Sequence, residues 1–94
     1  MGAEGKILYR IHVTGMVQGV GFRWSAAREA WARDITGYVK NMRDGSVSIE
    51  AEGTREQLAD FAAWCRKGPG VGFVDSAKVT EHPPVGYREF SIKH

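Results

Sequence analysis

The chain has 94 residues, of which 43% are hydrophobic and 26% are charged, a composition that suits one compact domain and excludes disorder or low complexity. No apolar run approaches the roughly 20 residues that cross a bilayer, and the first residues lack the pattern of a signal peptide. The net charge of +2 is mildly basic, and no isolated cluster of lysine and arginine marks a nucleic-acid surface.

Alternating apolar and polar residues predict a first strand over residues 7–14, and a helix follows over 22–34 without a side chain to cap its start. Strands over 36–41 and 46–52 flank Asp44-Gly45, a strong hairpin signal. Thr54 and Gln57 form a capping-box pattern that begins a second helix, which Gly68-Pro69 ends. A fourth strand over 74–82 and a short one over 87–93 complete the chain.

The predicted order is β-α-β-β-α-β plus a short extra strand, which is the ferredoxin-like arrangement. We therefore predict an α+β sandwich in which two helices cover one face of an antiparallel sheet, with the extra strand at the C-terminus. Strands one and three should lie side by side at the centre, with strand two next to strand three. We expect a single domain over residues 1–94, with residues 1–5 flexible.

A glycine-rich loop lies between the first predicted strand and the first predicted helix, with Gly15, Gly19 and Gly21 followed by Arg23. Such a loop can point several backbone N–H groups into one concavity, and the uncapped helix adds further N–H groups and a positive dipole end. The loop is neither a Walker loop nor a dinucleotide fingerprint. The glycines alone leave a phosphate cradle and a structural turn both open, and the planar fork of Arg23 favours the cradle.

Asn41 ends the second predicted strand just before the hairpin. Taken alone, this residue is best explained as part of the turn, as are Asp44 and Gly45. A functional role requires its side chain to reach the glycine loop, which spacing alone does not establish.

Together the two segments resemble the acylphosphatase family. The matching residues are Gly15-x-Val17-Gln18-Gly19-Val20-Gly21-Phe22-Arg23 and Gly37-Tyr38-Val39-Lys40-Asn41-x-x-Asp44-Gly45-Ser46-Val47, with Gly53, Gly68-Pro69, Val74 and Phe90-Ser91-Ile92 in support. The resemblance covers nearly the whole chain. It implies a small acylphosphatase that hydrolyses the carboxyl–phosphate anhydride of acyl phosphates to carboxylate and inorganic phosphate, without metal or cofactor.

The resemblance also assigns residues. It implies that Arg23 and the loop amides bind the phosphoryl group, and that Asn41 positions the attacking water. The phosphate-binding residues would be Gln18, Gly19, Val20, Gly21, Phe22 and Arg23. Substrates of the acetyl, carbamoyl or 1,3-bisphosphoglycerate type are expected, and nucleic acid and membranes are not. We expect a monomer in the cytoplasm, and the single cysteine, Cys65, fits that reducing compartment.

General chemistry agrees with this substrate class. Phosphoryl transfer spreads negative charge over the equatorial oxygens, so positioning and electrostatics supply most of the catalysis. The carboxylate of an acyl phosphate leaves without a proton, whereas the alkoxide of an ordinary phosphate ester leaves poorly. The motifs contain no dedicated general acid, which favours the anhydride as substrate.

Other candidate groups have simpler explanations. Cys65 falls on the core-facing stripe of the second helix and is interpreted as a buried small hydrophobe. His12, His82 and His94 lack metal-ligand spacing. The three tryptophans are interpreted as packing or surface residues. Arg33-Asp34 departs from the Leu-Gly that the family often has, and His94 stands where an aromatic residue is common.

Two rival functions stay open. Acylphosphatase-like domains of larger maturation proteins could hold carbamoyl phosphate or another anion for a partner, but they tend to carry proline after the motif arginine, where this chain has Trp24. The predicted fold also suits an RNA-recognition module, which displays aromatic residues on strands one and three. The third strand here has none, which disfavours RNA binding.

Overall fold

A computed structural model describes residues 5–94. The expectation of flexibility for residues 1–5 therefore falls, apart from Gly5, outside the described residues. The strands are β1 (Lys6–Met16), β2 (Thr36–Asn41), β3 (Val47–Thr54), β4 (Phe73–His82) and β5 (Phe90–Lys93), and the helices are α1 (Phe22–Ala32) and α2 (Arg55–Lys67). Every predicted element is present, with bounds that differ by a few residues.

The five strands form one sheet in the order β4-β1-β3-β2-β5. The pairs β1–β4, β1–β3 and β2–β3 are antiparallel, which confirms the predicted central position of β1 and β3. The extra strand β5 runs parallel to β2, so the complete sheet is mixed rather than wholly antiparallel. Because β2 lies between β3 and β5, the C-terminus of the chain runs beside the end of β2 that carries Asn41.

The core lies between the sheet and the two helices. Phe61 of α2 packs against Trp64 and Phe90 with ring-centre distances of 6.4 and 6.1 Å. Alanine residues on the buried face of α1 allow that helix to lie close to the sheet. The fully buried large side chains of this core include Ile11, Val13, Val17, Phe22, Ile35, Val39, Val47, Ile49, Leu58 and Phe61.

The first helix is shorter than predicted. It ends at Ala32, with Arg33 as its C-cap, because Asp34 adopts a left-handed conformation with a φ of 57°. Asp34 is the one residue other than glycine with positive φ among residues 5–94. This is the position at which the sequence departs from the glycine typical of the family.

The last strand is also shorter than predicted, since residues 87–89 belong to the loop after β4. The Glu52 carboxylate holds this loop by accepting hydrogen bonds from the backbone N–H groups of Val85, Gly86 and Tyr87. Glu52 is itself only 5% exposed. A buried carboxylate needs such donors, and the loop supplies them in place of strand pairing.

Candidate active site

The loop between β1 and α1 turns sharply at two left-handed glycines, Gly19 with φ 76° and Gly21 with φ 78°. A Cβ on either would meet no atom within 4 Å, so backbone conformation rather than crowding requires glycine there. Gly21 is the N-cap of α1, and no side chain caps the helix, as predicted. Within residues 5–94, the N–H groups from Gly19 to Arg23 make no hydrogen bond of normal geometry. They form a set of free donors at the positive end of a helix dipole.

Four of these residues, Gly19, Gly21, Phe22 and Arg23, border a cavity of about 190 Å³. Its lining residues are Val17, Gly19, Gly21, Phe22, Arg23, Trp24, Asn41 and Ile92. The cavity therefore brings Asn41, at the end of β2, together with Arg23, in the first turn of α1. Spacing in the sequence had left that proximity open, and the strand order explains it.

Two of the predicted phosphate-binding residues, Gln18 and Val20, do not line this cavity. The Gln18 amide Nε2 donates to the carbonyl oxygen of Met42 at 2.7 Å and to that of Ser46 at 2.8 Å. Both of its donors are thus used to tie the glycine loop to the β2–β3 hairpin. The Val20 side chain packs against the core.

Arg23 is held from the C-terminal side of the chain. Its Nη1 donates to the carbonyl oxygen of Lys93 at 2.7 Å and lies 3.4 Å from His94 Nδ1. This contact was not predicted, since nothing in the spacing of the sequence places the last residues beside the glycine loop. One edge of the guanidinium is occupied in this way, and its remaining donors can serve a ligand in the cavity.

Asn41 carries an unpaired polar atom. Its Oδ1 is buried and has no hydrogen-bond partner within residues 5–94. Leaving a buried acceptor unpaired costs about 1–3 kcal/mol, so such an atom in a native protein calls for an explanation, such as a bound water molecule or a catalytic role. The amide oxygen is suited to accept a hydrogen bond from a bound water molecule.

The hairpin that follows Asn41 is rigidly built. The Asp44 Oδ1 accepts from the Ser46 backbone N–H at 2.9 Å and from the Ser46 hydroxyl, while Gly45 adopts a φ of 94°. The hydroxyl bond, together with the backbone bond, holds the pKa of the Asp44 carboxyl below its usual value. Asp44 and Gly45 thus serve the turn, as predicted, and fix the carbonyl groups that Gln18 binds.

Alternative sites find little support. Cys65 is buried in the core, and burial raises the pKa of its thiol to about 12. No cluster of three histidine, cysteine, aspartate or glutamate residues within residues 5–94 could hold a metal ion. A larger cavity, of about 500 Å³, lies between Arg10, His12 and the hairpin and contains neither Arg23 nor Asn41.

In the part of the chain that the structure describes, no helix is long and apolar enough to span a membrane.

Comparison with known proteins identifies the kind of protein that this fold and cavity define. A sequence model of the acylphosphatase family matches residues 9–92. The acylphosphatase of Thermotoga petrophila is 46% identical over 85 residues, which are 90% of this chain and 94% of that protein. The crystal structure of acylphosphatase from Bacillus subtilis has a TM-score of 0.90 at 42% identity, covering 94% of this chain and 99% of that one.

Full-length HypF in its phosphate- and nucleotide-bound form also has a similar region, with a TM-score of 0.88 at 28% identity. That match covers 95% of this chain but only 12% of HypF. The chain belongs to the acylphosphatase family. Its activity is that of an acylphosphatase, a hydrolase whose substrates are acyl phosphates and whose product is phosphate. The resemblance seen in the sequence and the predicted ferredoxin-like α+β fold are thereby confirmed.

Proposed function

We propose that this protein hydrolyses acyl phosphates by direct in-line attack of water on phosphorus, with the phosphoryl group held in the 190 Å³ cavity. The observation that supports this most strongly is that Arg23 and Asn41 line one cavity together with the free loop N–H groups. Arg23 and the amides would bind the phosphoryl oxygens. Asn41 would orient the attacking water through its unpaired Oδ1.

The chemistry of phosphoryl transfer suits this set of groups. Negative charge on the equatorial oxygens is stabilised by fixed donors that need no reorganisation during the reaction. Gly19 to Arg23 supply such donors on a loop that Gln18 braces against the hairpin. Holding water and phosphorus in line then removes much of the entropic barrier to the reaction.

Within residues 5–94, the lining of the cavity supplies no general acid. Arg23 is the one ionisable residue of that lining, and a guanidinium does not give up a proton in proteins. A carboxylate leaving group needs no proton, so acyl phosphates fit this site and alkyl phosphate esters do not. No step in the proposed mechanism requires a metal ion or an organic cofactor.

The individual substrate, the oligomeric state and the cellular location are also proposals. Acetyl, carbamoyl and 1,3-bisphosphoglycerate-type phosphates all carry the required anhydride. We propose a single-domain monomer in the cytoplasm, where the buried free thiol of Cys65 would stay reduced.

The second candidate function is an anion-binding module that holds an acyl phosphate without hydrolysing it. The observation behind this candidate is the similarity to one region of HypF, a larger protein whose structure was solved in a phosphate- and nucleotide-bound form. Asn41 argues against it, because a pure binding site has no need for a buried unpaired oxygen beside the phosphate cradle.

Hydrolysis of benzoyl phosphate, followed by ultraviolet absorbance with and without EDTA, tests the proposal. We expect EDTA-insensitive turnover by the wild-type protein and its loss in Arg23→Ala. Inorganic phosphate should inhibit competitively. A folded wild-type protein that binds phosphate but does not turn over benzoyl phosphate would instead support the binding module. Turnover that EDTA abolishes would contradict the metal-free mechanism.

A further inference from the structure

The cavity has an exposed aromatic wall that phosphate binding does not use. Trp24 follows Arg23 in the first turn of α1, lines the same cavity and is 55% exposed. Tryptophan buries 150–250 Å² when it is covered, so leaving one half-exposed forgoes a large hydrophobic gain. The lining contains three other large apolar residues, Val17, Phe22 and Ile92. Two of them, Val17 and Phe22, are buried in the core. Trp24 and Ile92 therefore form the accessible apolar part of the cavity.

Trp24 is held in place by a second tryptophan. Its ring packs edge-on against Trp31, with ring centres 5.6 Å apart and an angle of 77° between the rings. The Trp31 Nε1–H in turn donates to the carbonyl oxygen of Phe90 at 2.9 Å, which anchors it to the start of β5. Edge-to-face packing of this kind restricts the exposed ring. A restricted aromatic surface loses less conformational entropy when a ligand covers it.

The polar end of the cavity determines what can reach this wall. Arg23 and the loop amides supply hydrogen-bond donors for phosphoryl oxygens, whereas the indole of Trp24 is mostly apolar. A substrate held by its phosphoryl group must extend its acyl group away from those donors. Trp24 follows Arg23 in the sequence, and its side chain supplies apolar surface in the same cavity.

We propose that Trp24, with Ile92, forms an acyl-binding subsite that favours acyl phosphates with an aromatic or bulky apolar acyl group over those with a small acyl group. Trp31 is a positioning residue for this subsite, since it acts through Trp24. The inference rests on the proposed function, because it assumes that the phosphoryl group occupies the cradle formed by Arg23 and the loop amides. It names a substrate class that the motifs alone do not specify.

The test compares kcat/KM for benzoyl phosphate with kcat/KM for acetyl phosphate in each variant. The intrinsic reactivities of the two substrates cancel when the ratio for a variant is divided by the ratio for the wild type. In Trp24→Ala the benzoyl-to-acetyl ratio should fall about 10-fold, which corresponds to about 1.4 kcal/mol. The matched control is Phe73→Ala, which removes another 55% exposed aromatic residue that lies outside the cavity. Its ratio should stay within about 2-fold of that of the wild type.

Trp31 provides an independent arm. Trp31→Ala should lower the ratio less than Trp24→Ala does, and Trp31→Ala combined with Trp24→Ala should lower it no further than Trp24→Ala alone. Such non-additivity is expected when one residue acts through another. Retained tertiary circular dichroism would establish that each variant is folded.

The possible failures are distinguishable. An unchanged ratio in folded Trp24→Ala, with both substrates still hydrolysed, would overturn the subsite and leave the proposed function intact. An equal fall in Phe73→Ala would also overturn it, because the effect would then not belong to the cavity. Failure of the wild-type protein to hydrolyse either substrate would refute the proposed function, and the subsite with it.

Discussion

The Gln18 side chain donates to the carbonyl oxygen of Met42 at 2.7 Å, across 24 residues of sequence. A second bond, to Ser46 at 2.8 Å, completes the link between the glycine loop and the hairpin. This link fixes the loop amides relative to Asn41, which immediately precedes Met42. Geometry at the site thus depends on a residue whose side chain does not face the cavity.

Replacing Gln18 should therefore impair both stability and activity. Gln18→Ala removes two bonds to backbone carbonyls and should lower the free energy of unfolding by about 1–2 kcal/mol. Loosening of the loop should lower kcat/KM for acetyl phosphate about 10-fold. Gln18→Glu should be worse than Gln18→Ala, because it places acceptor oxygens against two carbonyl oxygens. Urea unfolding and initial rates measure the two effects, and a fully active, fully stable Gln18→Glu would refute the bracing role.

Asn41→Ala should separate activity from stability. If Asn41 orients the attacking water, turnover should fall by a factor of about 10²–10³. The free energy of unfolding should not fall, because the variant removes an atom that is buried without a partner. Parallel measurement of kcat and of the urea midpoint checks both expectations. Near-normal turnover in the folded variant would eliminate Asn41 from the mechanism.

Arg23→Lys tests whether shape as well as charge is needed. Lysine keeps the positive charge but lacks the planar fork that can bind two phosphoryl oxygens and still donate to Lys93. We expect kcat/KM to fall by a factor of about 10² or more, and inhibition by inorganic phosphate to weaken. Arg28→Lys, an exposed change on the same helix, is the matched control and should retain normal kinetics. Equal activity of the two variants would exclude a specific clamp.

The fold was largely predictable from local patterns in the sequence. Alternation located the strands, and the capping box at Thr54 was confirmed, since its Oγ1 accepts from the Gln57 N–H at 3.2 Å. The parallel pairing of β5 with β2 was not predicted, because a short strand near the chain end carries no signal of its direction. The early end of α1 was missed because the sequence does not show that Asp34 adopts the left-handed conformation, which is common for glycine and only occasional for asparagine and aspartate.

Prediction of the site depended on the family resemblance more than on pattern alone. The glycine loop and Arg23 suggested a phosphate cradle by themselves, whereas Asn41 alone looked like a turn residue. Asn41 lines the cavity because β2 pairs with β3, and that pairing is a property of the whole sheet. The hydrogen bond from Arg23 to the carbonyl oxygen of Lys93 also joins residues far apart in the sequence, so spacing alone does not predict it.

Cys65 should be inert in the native protein at neutral pH. Burial raises the pKa of its thiol from 9.0 to about 12. A raised pKa means that the neutral thiol stabilises the fold fully below pH 9, and that this contribution is lost as the pH rises toward 12. Incubation with iodoacetamide at pH 8 should thus leave activity and mass unchanged, while the urea-unfolded protein reacts readily. Rapid alkylation of the folded protein would contradict the burial of this thiol.

Asp34 offers a stabilising substitution away from the cavity. Its φ of 57° strains a residue with a Cβ, and its carboxylate makes no hydrogen bond or ion pair within residues 5–94. Left-handed backbone costs an L-residue up to about 1–2 kcal/mol, and aspartate is among the more tolerant residues, whereas glycine adds about 0.5–1 kcal/mol of chain entropy to the unfolded state. Asp34→Gly should therefore raise the free energy of unfolding by about 0.5–1 kcal/mol, as measured by urea denaturation. Asp34→Val, whose branched side chain resists this conformation, should lower it, and kcat/KM for acetyl phosphate should not change in either variant. If Asp34→Gly lowered the free energy of unfolding instead, the Asp34 carboxylate would contribute more stability than the removal of backbone strain adds.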